Sequence, residues 1–346
     1  MARSTIRDVA AHAGVSVATV SRVLGGNYPV AARTRTKVLR AIEELDFVAN
    51  AHARALSGSS SKLVAIVTSS MNAPFYADIA SGVESYVSVE GRLCMYVSTD
   101  GDVGRELDVL GLMREQRAEA VILVGGVAMT PEYHDRMARF AHGLASVGGR
   151  LVLCGRPSIG PDVPAVVVEY ENEGGAHAGT SHLIARGHRR IILLGGIPGQ
   201  TTGDGRIAGY RRAMADHGIP VDESLMMPGQ FGRRFAYDRV RERLARGPAD
   251  FTAIFALDDI LAGAAMHAVR DAGLRVPEDV SVLGYNDSEI ALDLYPALTS
   301  VHIPVQELGR TAARLAISQR PGDERARVML GTHVVVRDSV VGPPGR

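Results

Sequence analysis

The sequence predicts a small all-α head followed by an α/β core of two lobes, each built on a parallel sheet. Three observations predict it. Residues Thr5 to Leu24 carry the caps and apolar spacing of two short helices joined by a tight turn. From Leu63 onward, apolar runs of four to six residues alternate with amphipathic stretches, the pattern of parallel strands covered on both faces. About ten such runs are more than one doubly wound sheet usually carries, so the core divides in two. A chain of 346 residues is long enough for two or three domains.

In the head, Thr5 caps the first helix and Asp8 sits near its positive end. Ile6, Val9, Ala10 and Ala13 share one face, Gly14 supplies the left-handed residue that ends the helix, and Val15 fills the angle. Ser16 caps the second helix, whose Val20, Val23 and Leu24 turn inward while Val17, Ala18, Ser21 and Arg22 face out. A capped helix with small outward side chains and one arginine suits a DNA major groove. Periodicity alone fits an ordinary helical hairpin equally well, and charge separates the two readings. Residues 1 to 62 hold nine basic and four acidic residues, a net of about +5, in a chain that is formally neutral. A basic head on an acidic body indicates a nucleic-acid contact confined to one end.

A turn-forming loop from Gly25 to Pro29 leads to a third helix over about 32–45, with Val38, Ile42 and Leu45 as its core face. Next comes Asn50-Ala-His-Ala-Arg-Ala-Leu56, an alanine-rich stretch long enough for two helical turns and ordered only when something packs against it. Ser57 to Ser61 reads as a linker. The core strands are expected at 63–67, 93–97, 120–124, 151–154, 163–168, 191–194, 253–256, 280–283 and 333–336, with helices such as 75–89 and 206–217 between them. Ligands in such folds bind beyond the carboxyl ends of the strands and between lobes.

Other chemistry finds no support in the sequence. No run approaches the roughly 18 apolar residues of a membrane span, and polar residues interrupt the N-terminus where a signal peptide would be apolar. The expected place is therefore the cytoplasm, with no membrane partner. Cys94 and Cys154 sit in apolar runs and read as strand thiols. The eleven histidines lack metal-ligand spacing. There is no phosphate loop or serine nucleophile elbow, and 203–209 misses the dinucleotide spacing. The sequence thus predicts no enzyme, metal or cofactor.

The chain resembles the LacI/GalR family of bacterial transcriptional regulators nearly end to end. The resemblance is carried by Ile6-Arg-Asp-Val-Ala, Gly14-Val-Ser-Val-Ala-Thr-Val-Ser-Arg-Val-Leu24 and Val38-Leu-Arg-Ala-Ile-Glu-Glu-Leu45. It continues through Gly187-His-Arg-Arg-Ile191, Arg206-Ile-Ala-Gly-Tyr210, Val276-Pro-Glu-Asp-Val-Ser281, Gly284-Tyr-Asn-Asp287, Leu298-Thr299 and Glu307-Leu-Gly-Arg310. It implies a helix-turn-helix head at 1–47, a hinge helix and linker at 48–61, and a periplasmic-binding-protein-like core at 62–346. Within the core it implies lobe 1 at about 62–162 and 293–322 and lobe 2 at about 163–292 and 323–340. The three crossovers are then expected near 161–164, 292–299 and 320–327. It also implies a homodimer on palindromic double-stranded operator DNA, with a small molecule between the lobes shifting operator affinity. The C-terminal Gly-Pro-Pro-Gly-Arg lacks the leucine heptads that tetramerise some relatives, which favours a dimer.

Carried over residue by residue, Val17, Ala18 and Arg22 occupy base-reading positions, with Arg22 able to pair bidentately with guanine. Ser16, Thr19, Ser21 and Asn50 belong to the phosphate-positioning set, and Thr5 and Arg54 complete the expected DNA-binding residues. Leu56 matches a hinge leucine that wedges into the minor groove; alone, it would read as a packing residue. In the cleft, Arg206 matches an effector-holding arginine, Phe231 a stacking aromatic, and Phe75 and Tyr76 a lining pair. Arg156, Asp258, Asp259 and Asn286 complete the expected set. This chain departs from many relatives with Gly155 in place of an aspartate, Asp258-Asp259 in place of Asn-Asp, Asn286 in place of Asp, and Ile303 in place of a glutamine. These changes alter the donor and acceptor pattern, so the resemblance implies a sugar-like effector without fixing which. Asp258 capping the following helix and Arg206 pairing with Asp204 remain open alternatives. A solute-binding protein or sugar enzyme on the same core would instead predict a secretory leader or catalytic motif.

Overall fold

A computed structural model of the chain describes residues 4–25, 29–47, 61–318, 320 and 323–344. Three helices form the head: α1 (Ile6–Ala13), α2 (Val17–Gly25) and α3 (Ala32–Glu44). Thr5 and Asp8 make a reciprocal capping box, with the Thr5 amide donating to Asp8 Oδ2 at 2.8 Å. Gly14, at φ +65°, closes α1 by donating to the Ala10 and Ala11 carbonyls, and the Val15 amide reaches Ala10 O at 3.0 Å. That left-handed turn suits glycine and sets the angle at which α2 leaves. Val9, Ala10, Val20, Val38 and Ala41 are the head's buried centre. So small a core makes the head modest in stability.

The core holds two six-stranded sheets. Lobe 1 contains β1 (Leu63–Thr68), β2 (Leu93–Ser98), β3 (Ala120–Val124), β4 (Arg150–Cys154), β5 (Ala165–Tyr170) and the late β11 (Arg327–Leu330). Their order is β11-β5-β4-β3-β1-β2, and every pairing is parallel. Its helices are α4 (Pro74–Val87), α5 (Val103–Glu115), α6 (Pro131–Ser146) and a late α12 (Val305–Ala316). Lobe 2 contains β6 (Ile191–Leu194), β7 (Met226–Met227), β8 (Ala253–Ala256), β9 (Ser281–Asn286), β10 (Thr299–His302) and β12 (His333–Val335). Their order is β12-β10-β9-β8-β6-β7. The helices here are α7 (Asn172–Ala185), α8 (Thr201–Asp216), α9 (Arg233–Leu244), α10 (Asp259–Asp271) and the short α11 (Ile290–Asp293). The edge strand β12 runs antiparallel to β10, a departure from the all-parallel expectation.

The sheets correct the expected lobe boundaries. Pro161 to Pro164 is a turn within lobe 1, because β5 pairs with β4, Leu151 opposite Ala165. The chain crosses only after Tyr170. It crosses back after His302, since β10 pairs with β9, and a third time between Leu330 and His333. Each crossover follows the completion of a strand and falls later than the sequence suggested. Lobe 1 is therefore 62–170 with 305–330, and lobe 2 is 172–302 with the segment from 333. The predicted hinge helix and linker at 48–61 lie, except for Ser61, outside the described residues.

Two glycines fix how lobe 1 is packed. A Cβ on Gly82 of α4 would collide with the backbone carbonyl of Gln306, and one on Gly309 of α12 with that of Ile79. Backbone cannot yield as a flexible side chain can, so only glycine permits this helix crossing. The expectation for the cysteines agrees with their placement: Cys94 in β2 is half-buried, Cys154 in β4 is buried, and both are free thiols. Burial pushes Cys94 up to about 11 and Cys154 up to about 12, which keeps both as thiols.

Candidate nucleic-acid interface and ligand cleft

On α2, Val17, Ala18, Ser21 and Arg22 are exposed and Val20 is buried, the division the apolar spacing predicts. Ser16 Oγ accepts the Thr19 amide at 3.2 Å and lies 2.9 Å from Thr19 Oγ1. These two hydroxyls therefore hold the helix N-terminus, which presents positive partial charge to an anion. Thr5 is likewise engaged in its cap. Asn50, Arg54 and Leu56 lie outside the described residues.

Between the lobes lies a cleft of about 430 Å³. Of the eight residues expected there, Phe75, Tyr76, Arg156, Arg206, Phe231, Asp258 and Asn286 line it. Asp259 does not, which corrects that expectation. Although adjacent to Asp258, it starts α10 and turns inward, only 1% exposed. There it accepts Ser300 Oγ at 2.6 Å, the Ser288 amide at 2.7 Å and Ser288 Oγ at 2.9 Å. It ties β9, β10 and α10 together rather than meeting a ligand.

Burial pushes the Asp259 carboxyl up to about 7, against the opposing donation from Ser300 and Ser288. An unfolded aspartate releases its proton near 3.9, so between that pH and about 7 the folded state binds the extra proton. Stability from this group is full below about pH 4 and falls as pH rises through about 7. Asp259→Asn is expected to flatten that decline in pH-dependent urea unfolding. An unchanged slope would assign the decline to other groups.

Arg156 also takes a different role from the one expected. Its Nε donates to Gly125 O at 2.6 Å, Nη1 to Glu106 Oε1 at 3.0 Å and to the Tyr133 hydroxyl at 2.6 Å. Nη2 donates to Glu106 Oε2 at 2.8 Å and, weakly, to Val124 O at 3.4 Å. All five guanidinium N–H groups are thus used within lobe 1, leaving none for a ligand. Burial alone would lower the guanidinium pKa, and the Glu106 carboxylate beside it more than offsets this, so the pKa is raised. Arg156 is a buttress for the cleft floor.

Arg206, on α8, is 3% exposed and stacks on the Tyr285 ring at 3.7 Å. Its Nε donates to Asn172 Oδ1 at 3.0 Å and its Nη1 to the Leu257 carbonyl. Nη2 makes two long bonds of 3.3 Å, to the Tyr170 hydroxyl and Asn286 Oδ1. The Asp258 carboxylate lies close enough to feel the Arg206 charge, which favours its ionised form. The alternative pairing with Asp204 does not occur: the Arg206 fork is directed at Asn172, Leu257, Tyr170 and Asn286, and Asp204 Oδ1 accepts the Gly199 amide at 2.9 Å. Asp258 does cap α10, accepting the Ile260 amide at 2.7 Å, and it also faces the cleft, where Oδ2 accepts Asn286 Nδ2 at 2.8 Å. Burial raises its pKa. Asn286 sits at φ +103° and Asp287 at φ +55°, a strained pair that turns the Asn286 side chain into the cleft.

Both lobes also contribute aromatics to the cleft. Phe75 meets Tyr76 edge-on at 5.3 Å and Tyr170 at 6.0 Å, and Phe231 is 41% exposed. Gly125 stands at φ +88°, where a Cβ would lie 2.8 Å from the Tyr76 ring. Gly155, at φ +71°, leaves no side chain where relatives were expected to carry an aspartate. Ile303 is fully buried and does not line the cleft. Sequence reasoning missed Tyr170, Glu106, Tyr133 and Tyr285. Glu106 and Tyr133 fall on amphipathic helices and read as ordinary positions, and no local spacing links them to Arg156. Among the described residues, no three His, Cys, Asp or Glu side chains gather as metal ligands. No described helix is long and apolar enough to cross a membrane.

A capped recognition helix joined to a two-lobed core with an arginine-gripped cleft defines a class: DNA-binding regulators that carry a periplasmic-binding-protein-like domain. Residues 5–50 match the family model of bacterial regulatory proteins, lacI family, and 180–340 match that of the periplasmic binding protein-like domain. Over 345 residues the chain is 37% identical to the HTH-type transcriptional regulator CelR of Thermobifida fusca, covering 97% of this chain and 98% of that one. The chain belongs to the LacI family of bacterial transcriptional regulators, which are not enzymes. Among solved structures it is similar to a CelR–cellobiose complex, with TM-score 0.71, 35% identity and coverage of 97% and 100%. It is also similar to the lac repressor dimer bound to operator and the anti-inducer ONPF, with TM-score 0.79, 25% identity and coverage of 98% and 100%.

Proposed function

We propose that this regulator represses transcription by binding a palindromic operator as a homodimer, and that a sugar in its interlobe cleft shifts operator affinity. The observation that carries the reading is Arg206. A buried guanidinium stacked on Tyr285 lines a cleft that also presents Phe75, Tyr76 and Phe231, beside the Asp258 carboxylate and the Asn286 amide. That mixture suits a polyhydroxylated ring, whose hydroxyls satisfy donors and acceptors while its C–H faces lie on aromatics. The cellobiose complex of the similar CelR structure supports a saccharide. The operator complex of the lac repressor dimer supports the assembly. DNA binding places its work in the cytoplasm.

In the head, Val17 and Ala18 offer only apolar contacts such as a thymine methyl, and Arg22 supplies the hydrogen-bonding readout. Ser16, Thr19, Ser21 and Asn50 belong to the phosphate-facing set, Leu56 to the minor-groove wedge, and Thr5 and Arg54 complete the DNA-binding residues. Arg22→Ala is expected to cost about 1–3 kcal/mol and relax base preference at one position of each half-site, read by binding to a randomised operator library. A uniform loss across sequences would make it a phosphate contact. For the cleft, a thermal-shift series of mono- and disaccharides, cellobiose included, tests the ligand class. The absence of any shift across the series would remove the saccharide reading.

A further inference from the structure

The two lobes touch directly across the cleft through backbone, at a place the sequence did not single out. The Thr201 amide donates to Val127 O at 3.0 Å, and the Val127 amide donates to Thr201 Oγ1 at 3.2 Å. Ala128 and Gln200 form an isolated antiparallel bridge beside them. Residues 125–128 follow β3 in lobe 1, and 200–202 begin α8 in lobe 2, so these contacts join elements whose covalent links are the three distant-in-sequence crossovers.

Both sides are built for this. Gln200, the N-cap of α8, makes no side-chain capping bond, and a helix start leaves amides that need an acceptor. The opposite lobe supplies one in Val127 O. On the other side, Arg156 grips Gly125 O at 2.6 Å, so the buried Arg156–Glu106 pair braces the loop that reaches across. Arg206 lies little more than one turn beyond Thr201, so whatever seats the start of α8 also positions the ligand-facing arginine.

Gly126 is the residue that lets the lobes meet. Unlike Gly125, it is not at positive φ, so its backbone does not lie in the left-handed region that favours glycine. A Cβ there would lie 2.5 Å from Thr202 Oγ1 and 3.0 Å from Thr202 Cβ. The obstacle to a side chain at 126 is therefore the opposing lobe and not the local fold.

We propose that residues 125–128 and 200–202 form a clasp that holds the lobes closed, with Gly126 as the position at which a single methyl group selectively opposes closure. The clasp consists of the chain's own atoms, so it sets a closed–open balance that a cleft ligand then biases. This deepens the effector reading and rests on it for its regulatory meaning, but its geometry can be tested without a ligand.

The test is hydrogen–deuterium exchange on the full-length protein, wild type against Gly126→Ala. Segments 125–128 and 199–203 are expected to exchange about tenfold or more faster in the variant, the loss of two ordinary hydrogen bonds. Strands β1 and β8 should keep their protection. Unchanged exchange in both segments would overturn the clasp. If β1 and β8 also lost protection, the fold itself would have been damaged, and a second variant decides. In Ala128→Cys/Gln200→Cys the bridged pair is expected to form an intrachain disulfide under mild oxidation, whereas thiols that persist under the same oxidant overturn the proposal. Neither readout needs a sugar, so its failure is separable from failure of the saccharide series.

Discussion

Glu106→Ala is expected to lower the stability of the core by about 3–5 kcal/mol, the cost of leaving a buried charge without its partner. Arg156 and Glu106 are 3% and 5% exposed, and their closest contact is 2.8 Å. Glu106 also accepts the Tyr133 hydroxyl at 2.8 Å, so its removal strands a guanidinium and a phenol together. Equilibrium urea unfolding reads the loss. The ion pair itself need not be strongly stabilising, because both charges lost their water on folding. Glu106→Leu with Arg156→Met should therefore recover most of the stability. The double variant would still lack the Arg156 bond to Gly125 O, so its cleft loop would be less firmly held. A loss below about 1 kcal/mol in Glu106→Ala would mean that water reaches the pair.

Arg206→Ala is expected to weaken binding of the saccharide that shifts the melting temperature by roughly 100-fold, from the loss of charge-assisted hydrogen bonds in a dry site. Isothermal titration reads it directly. Arg206→Lys should fail nearly as badly. An ammonium cannot stack on Tyr285 and at once reach Asn172, Leu257 and a ligand, as the planar guanidinium does. Operator binding without ligand should persist in both variants, because Arg206 lies in the core and not in the head. Undiminished ligand affinity in Arg206→Ala would make the arginine a structural strut between Tyr170 and Asn286.

The head was legible because its determinants are local. Thr5, Asp8, Gly14 and Ser16 act within a few residues of one another, and the inward positions follow from helical spacing. The core strands were legible as apolar runs, but an apolar run does not say which sheet receives it. Ala165–Tyr170 and Thr299–His302 could each have closed one lobe or opened the other, and the proline cluster at 161–164 looked like a crossover. Three strands were missed: β7 is only two residues long, β10, Thr-Ser-Val-His, is half polar, and β11, Arg-Val-Met-Leu, alternates exposed and half-buried residues, so none is a continuous apolar run. In the cleft, family correspondence named Arg206, Asp258 and Asn286, and all three line it. It could not separate Asp258 from its neighbour Asp259, since one residue decides between the cleft and the interior. Nor could it reveal that Glu106, fifty positions away in sequence, had already consumed the donors of Arg156.

The cleft and the head are expected to be energetically coupled. Fluorescence anisotropy of labelled operator DNA, titrated with the full-length protein in the presence and absence of the saccharide identified by thermal shift, reads this coupling. Operator affinity is expected to change by about 5- to 150-fold, with operator DNA changing saccharide affinity by the same factor. Equal operator affinity with the cleft empty and saturated would contradict it.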